Sequence, residues 1–376
     1  MRWSWWTRVV GAALVLGVLS VGADRSLVAV QAQEPTEQPS TKSIDKAKPG
    51  VDQDQKPGEA KAGASTTETA RLDGKPGKEK PKYVDELLHE AWSAAGVKPS
   101  PIASDAEFLR RAYLDLLGRI PNIKETRSFL DNKDKEKRSK LIEALLDHPD
   151  FPKNFANVWA VVLIGRADQG RNVNRDALKT WLRRQIAEET PWDKMAFELI
   201  NARGSNIENG AANFVLAHLE GDRVPLTSMT TRVFLGLQIQ CTQCHDHPSN
   251  DWKQSHFWGI NAFFKGVNSR RVRVERNGAL VDSHMEVYDE RTDAFSSYDR
   301  RNGMVGVQFP SYLDGRKVPE GTEIDRRLEL AKLITDPDNK DFARAFVNRM
   351  WAHFLGKGFV NPVDDFGDHN TPSIPE

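Results

Sequence analysis

The chain has 376 residues, of which 39% are hydrophobic and 28% charged, so a soluble globular protein of about two domains is the default class. Its 53 basic residues are balanced by 53 acidic ones. With no net charge and no long basic run, the sequence lacks an electrostatic footprint for nucleic acid or an anionic membrane surface.

Residues 1–32 read as an export signal. Arg2 and Arg8 bracket a Trp-rich start, residues 9–21 form an apolar core too short to span a bilayer comfortably, and Val30-Gln31-Ala32 offers small residues for cleavage. A second candidate cut follows Ala23, and an uncleaved membrane anchor is the alternative. Either version puts the rest of the chain in the periplasm or outside the cell, with no stable membrane span expected after cleavage. That compartment permits disulfides, and covalent haem attachment in bacteria is also extracytoplasmic. Residues 33–80 are rich in Pro, Gly, Lys, Glu, Thr and Gln. They read as a disordered tether, unable to bury enough apolar surface to offset the entropy of ordering.

Helical signals dominate residues 81–268. Ser104-Asp-Ala-Glu107 is a capping box opening a helix through Phe108, Leu109, Ala112, Tyr113 and Leu116, and Gly118 with Pro121 ends it. Further helices are predicted over 83–95, 135–147, 151–164, 175–188, 192–202, 213–218, 227–245 and 255–264, punctuated by Pro149, Pro191 and Pro248. Trp159, Trp181, Trp192, Trp252 and Trp258 recur among apolar residues and read as core rather than as ligand-binding aromatics.

The helix predicted over 227–245 carries the main functional signal. It holds the two cysteines of the chain, Cys241 and Cys244, with His245 directly after them, which is the C-x-x-C-H spacing of covalent haem attachment. No charged residue interrupts 233–244. On a helix, Phe234, Leu237, Cys241, Cys244 and His245 share one stripe, because residues three and four apart are neighbours. Two thiols one turn apart would then reach the two vinyl groups of a haem, and the imidazole would bind the iron. Met229, Met285, Met304, His247, His256 or water are candidates for the sixth ligand, and Asp246 or a backbone carbonyl for orienting the proximal imidazole.

The same atoms admit three other readings. Cys241, Cys244, His245 and His247 could close a zinc site, with Asp246, Asp251 or His256 as further ligands, although the usual second ligand pair is missing. The thiols could form a plain or redox-active disulfide, although such a pair normally opens a helix and this one is predicted to close it. They could also be inert buried groups.

After Gly266 the pattern changes. Arg271-Val-Arg-Val-Glu alternates, Asn277-Gly278 is a hairpin turn, 279–288 returns as the partner strand, and 304–309 is a third strand. Arg270, Arg271, Arg273 and Arg276 read as a solvated face. Helices resume over 324–335 and 342–355, the last stopped by Gly356. Asp364, Asp365, Asp368 and His369 form an acidic and imidazole cluster able to bind a divalent cation or do acid-base work, with Arg344, Asn348 and His353 within reach on the preceding helix. Such residues in a Gly/Pro/Asn loop more often cap helices and bind backbone N–H groups. No nucleophile turn with a triad and no phosphate-cradling Gly loop appears, so a hydrolase has no positive support. The expected fold is mainly α: a multi-helix domain over 81–268, a short antiparallel β insertion over 269–312, and the start of a second helical unit over 313–376, inside which the chain is expected to stop.

Four segments together carry a family likeness: the 14 residues from Phe108 to Pro121, the helix before Pro149, Leu235-Gly-Leu-Gln-Ile-Gln-Cys-Thr-Gln-Cys-His-Asp-His-Pro248 and Phe257-Trp-Gly-Ile-Asn-Ala-Phe-Phe264. They resemble an exported planctomycete cytochrome-associated family, domain of unknown function 1549. Phe309, Leu313-Asp-Gly-Arg316, Arg326-Arg327, residues 343–358 and Pro362-Val-Asp-Asp-Phe366 resemble the start of its companion, domain of unknown function 1553. The likeness implies a haem or metal role for Cys241, Cys244 and His245 and no established activity. Relatives often carry an upstream cytochrome-like domain with its own C-x-x-C-H. Here only the tether stands in that place, so passing electrons between two centres would need an extracytoplasmic partner protein.

Overall fold

The computed structural model describes residues 80–166, 172–277, 279–318, 321 and 323–374, so the predicted export signal and nearly all of the predicted tether lie outside the described residues. The chain is mainly α, with twelve α-helices and two small antiparallel sheets among the described residues. Helix α1 spans Lys80–Ala94. Helix α2 (Asp105–Leu117) starts at the expected capping box: the Ser104 hydroxyl accepts the Glu107 N–H at 3.3 Å, and the Glu107 carboxylate accepts the Ser104 N–H at 2.8 Å. Gly118, at φ 70°, ends it, and Phe108, Leu109, Ala112, Tyr113, Leu116 and Leu117 bury one face. Helix α3 (Ile123–Asp131) was not expected. Asn122 and Glu125 repeat the capping box at 2.9 and 2.6 Å directly after Pro121, so the proline that closes one helix also precedes the next.

Helices α4 (Lys137–Leu146), α5 (Asp150–Ile164), α6 (Arg175–Ala187), α7 (Trp192–Ile200) and α8 (Ala212–His218) follow the predicted positions closely. The core centres on aromatic rings. Trp159 of α5 and Trp192 of α7 lie 4.2 Å apart, Phe234 is 5.8 Å from Trp192, and Phe214 of α8 is 5.6 Å from Phe234. Two later helices, α11 (Arg326–Ile334) and α12 (Lys340–Leu355), join this same core, and Phe346 of α12 sits 5.4 Å from Trp192. Trp159, Trp181, Trp192 and Trp258 are buried, as apolar recurrence implied, while Trp252 is half-buried against the cluster.

The first sheet has strand order β1–β3–β2, from β1 (Gly204–Ser205), β2 (Val267–Arg276) and β3 (Ala279–Asp289), with Asn277 at φ 53° in the predicted turn. Arg270 pairs with Glu286, and Arg271 and Arg273 pair with Asp282, across the hairpin. The strand predicted over 304–309 does not extend this hairpin. It appears as β5 (Val305–Gln308) and pairs instead with β4 (Ser296–Asp299), a strand too short and polar to stand out in the sequence.

The main departure concerns residues 227–245. Helix α9 (Val224–Thr230) widens into a single π turn over Thr231–Leu235, stops at Gly236, and is followed by a separate 3₁₀ turn over Ile239–Gln243. Gly236 is left-handed at φ 71°, and a β-carbon there would meet the Phe366 ring at 2.5 Å. The continuous stripe expected from Phe234 to His245 therefore does not form. Phe234 and Leu237 are buried in the core, whereas Cys241 and Cys244 are exposed.

Candidate functional site

The turn that carries the cysteines is anchored from inside. Ile239 and Thr242 are buried, and the Thr242 hydroxyl donates to the Ile239 carbonyl at 2.6 Å. The Gln243 carbonyl accepts from Trp258 Nε1 at 3.1 Å and Gln254 Nε2 at 3.3 Å, both from helix α10 (Gln254–Phe263). With those residues turned inward, Cys241 and Cys244 face solvent. Cys244 caps the 3₁₀ turn, and its N–H points at the Cys241 carbonyl, 3.5 Å away. Both cysteines are free. Partial burial of its sulfur first, and then the Asp365 carboxylate, raise the Cys241 thiol above its ordinary pKa, against the pull of nearby backbone N–H groups.

His245 follows directly. Its Nδ1 lies 2.7 Å from the Asp246 carbonyl, which can only accept, so Nδ1 carries the proton and Nε2 presents its lone pair. Orientation of this imidazole thus comes from a backbone carbonyl, one of the two possibilities raised above. The Asp246 carboxylate accepts the Gln254 N–H at 3.0 Å and lies 3.5 Å from Lys253 Nζ at the start of α10. His247 and His256 have the opposite tautomer. Their Nδ1 atoms accept backbone N–H groups from Ser249 at 3.1 Å and Lys253 at 3.2 Å, so the proton of each neutral ring sits on Nε2.

The acidic and imidazole cluster expected near the C-terminal end turns out to adjoin this loop. Asp364, nearly buried, accepts from Arg232 Nε at 2.6 Å and Gln238 Nε2 at 3.2 Å, and faces Arg349 at 3.8 Å. Phe366 donates its N–H to the Gly236 carbonyl at 2.9 Å, and the Asp368 N–H donates to Asn250 Oδ1 at 3.0 Å. His369 lies 3.2 Å from the same Oδ1 and 3.3 Å from Asp365, with its ring 5.8 Å from that of His247. Burial first, then the neighbouring His369, hold the His247 imidazole below its ordinary pKa, with Asp365 opposing.

The four cluster residues do not converge on a cation. Asp364 is committed to arginines and Asp365 to His369. Among the described residues, no group of three or more His, Cys, Asp or Glu side chains is placed to hold a metal ion. Of the α12 residues expected within reach, Asn348 does hold the loop, bonding the Val360 N–H and the Val360 and Val363 carbonyls at 2.8–3.2 Å. His353 instead packs on Phe155 in the core, and Arg344 lies 3.8 Å from Asp341. Arg349 and Arg232 are the partners that sequence reasoning missed. Nothing local marks them, since Arg232 and Asp364 stand 132 residues apart.

Residues 83–269 match the model of a family described as a protein of unknown function, DUF1549. The chain belongs to the DUF1549 family. Residues 326–376 match a second family of unknown function, DUF1553. No curated protein and no solved structure matches the chain. The DUF1549 segment supplies Cys241, Cys244, His245 and His247, while Asp364, Asp365, Phe366 and His369 come from the DUF1553 segment. The surroundings of the motif in this DUF1549 protein are therefore built by both.

Proposed function

We propose that this DUF1549 protein is exported and carries one covalently attached c-type haem, held by thioethers from Cys241 and Cys244 and by His245 Nε2, for electron transfer or redox sensing with an extracytoplasmic partner protein. The observation that carries this reading is the C-x-x-C-H set itself: two free, exposed thiols, followed by an imidazole whose Nδ1–H is held by the Asp246 carbonyl, which leaves Nε2 its lone pair. Bound there, the group would supply one-electron chemistry. The protein's own residues fix the loop through Ile239, Thr242 and Gln243 and keep the His245 ring in one tautomer.

Two features favour haem over the alternatives. Zinc needs its ligands to converge on one point. Thioether attachment asks only that two thiols reach separate carbons. A disulfide-exchange pair works through a thiol of lowered pKa, whereas Cys241 is raised. Among the described residues no helix is long and apolar enough to cross a membrane.

The test is expression of the exported chain alongside haem-maturation machinery. The expected result is a Soret band and a haem stain that survives a denaturing gel, both lost in Cys241→Ser with Cys244→Ser. Colourless protein holding stoichiometric zinc, or thiols that appear only after reduction, would overturn the haem reading in favour of a metal-clamped or disulfide-pinned binding protein.

A further inference from the structure

We infer that the outer face of the β4–β5 ribbon docks a second copy of this chain, ribbon against ribbon, with the tip of each over the base of the other.

The two faces of the ribbon differ sharply. Side chains alternate along a strand, and the register Ser297↔Val307 and Asp299↔Val305 sets which residues share a face. Ser296, Tyr298 and Gly306 turn inward onto α10 and are buried. There the Tyr298 ring stacks on Trp258 at 5.6 Å, and the Ser296 hydroxyl donates to Asn261 Oδ1 at 2.8 Å. The outer face holds Val305 and Val307, extended one residue beyond the strands by Phe295 and Phe309, whose rings lie 5.8 Å apart. These four side chains are 46% to 64% exposed, and Met304 at the tip is 55% exposed. Single exposed apolar residues are ordinary, whereas a contiguous group rimmed by polar ones marks a contact surface.

Its size suits a dimer. Two phenylalanines, two valines and a methionine exposed by about half offer on the order of 400 Å² of apolar surface. A standard interface takes about 800 Å² from each partner, a little over half of it apolar, so this face supplies most of the apolar share.

The rim is complementary to itself. Arg301 at the tip and Asp293 at the base are both exposed, and neither has an ion pair among the described residues. Arg300, by contrast, lies over the Tyr298 ring at 6.0 Å. A two-fold axis across the strands lays each tip on the other copy's base and pairs Arg301 with Asp293 twice. An axis along the strands would set the two Arg301 side chains together, which like charge opposes. The ribbon is also tied to the cysteine turn. Gln254 Nε2 donates to the Gln243 carbonyl at 3.3 Å and the Asp299 carbonyl at 3.1 Å, and Trp258, stacked on Tyr298, donates to the same Gln243 carbonyl. Pairing the ribbons would therefore fix the two C-x-x-C-H turns of the dimer relative to each other, whatever group they hold.

The experiment follows the full exported chain by sedimentation equilibrium and light scattering over a range of concentrations, with circular dichroism checking that each variant is folded. Wild type should form a dimer that dissociates in the micromolar range or more tightly. Val307→Lys, which places an unpaired charge at the centre of the face, should weaken it about 100-fold or more. Arg301→Glu or Asp293→Arg alone should weaken it about 10-fold, and the two combined should recover most of that loss. A wild type still monomeric at about 100 μM, a dimer whose affinity Val307→Lys leaves unchanged, or a double charge reversal no tighter than the single ones would overturn the proposal. A monomeric wild type that loses a different extracytoplasmic protein on Val307→Lys would also overturn it, assigning the face to that partner.

Discussion

Replacing Asp364 by alanine is expected to destabilise the fold by about 3 kcal/mol, mostly through the arginine left behind. Asp364 is 7% exposed and serves two guanidinium groups: Arg232 at 2.6 Å, whose side chain is half exposed, and Arg349 at 3.8 Å, whose side chain is 12% exposed. The half-exposed pair is screened by water and contributes roughly 0.5–1 kcal/mol. Arg349 differs. Its Nε and Nη2 are buried without a hydrogen-bond partner, and burial lowers its pKa while the Asp364 charge opposes that shift. Removing one member of a buried pair costs about 3–5 kcal/mol because a charge stays uncompensated, and the longer Arg349 distance places this case at the low end. Removing both charges avoids that penalty. Asp364→Leu combined with Arg349→Met should therefore lie within about 1–2 kcal/mol of wild type, well above the sum of the single losses. Equilibrium denaturation in urea at fixed pH of wild type, Asp364→Leu, Arg349→Met and the double variant closes the cycle, with Asp364→Ala measured beside it. A single-variant loss under about 1 kcal/mol, or strict additivity in the cycle, would refute the reasoning.

Two further outcomes are expected. Gly236→Ala should cost about 2–4 kcal/mol, combining a left-handed residue with a β-carbon 2.5 Å from the Phe366 ring, and Phe366→Ala in that background should recover the steric part. An unchanged melting midpoint would mean the chain does not turn at that glycine. Burial holds the His218 imidazole below its ordinary pKa while Nε2 donates to the Leu163 carbonyl at 2.7 Å, so the unfolded chain binds its proton first on acidification. Its stabilisation is fully present above the unfolded value near 6.5 and falls below it, by up to about 1.4 kcal/mol per pH unit. His218→Gln keeps a donor and removes the titration, so its stability between about pH 6.5 and 5 should fall less steeply than wild type, and parallel curves would count against a buried neutral ring.

Much of the fold was legible because its signals are local. The Ser104 box and Gly118 frame α2, Gly356 stops α12, and the recurring tryptophans mark the core, each through bonds or burial within a few residues of the signal. Helix α3 carried an equally local signal in Asn122 and Glu125, hidden only because Pro121 reads first as a stop. The strand β5 was visible, but its partner was not, since pairing depends on which neighbour the fold supplies.

Within the candidate site, sequence alone determined the donors: two thiols and an imidazole at fixed covalent spacing, with no charge among the residues before them. It could not determine their geometry. The glycine at 236 was in plain view, yet it breaks the helix in a fold where Phe366, 130 residues later, occupies the space a side chain would need. Which of His245, His247 and His256 carries its proton on Nδ1 was likewise decided by Asp246, Ser249 and Lys253 as hydrogen-bond partners. Spacing along a chain is set by covalent bonds, whereas the partner of a ring nitrogen or the neighbour of a glycine is set by packing, and only the tertiary structure brings those atoms together.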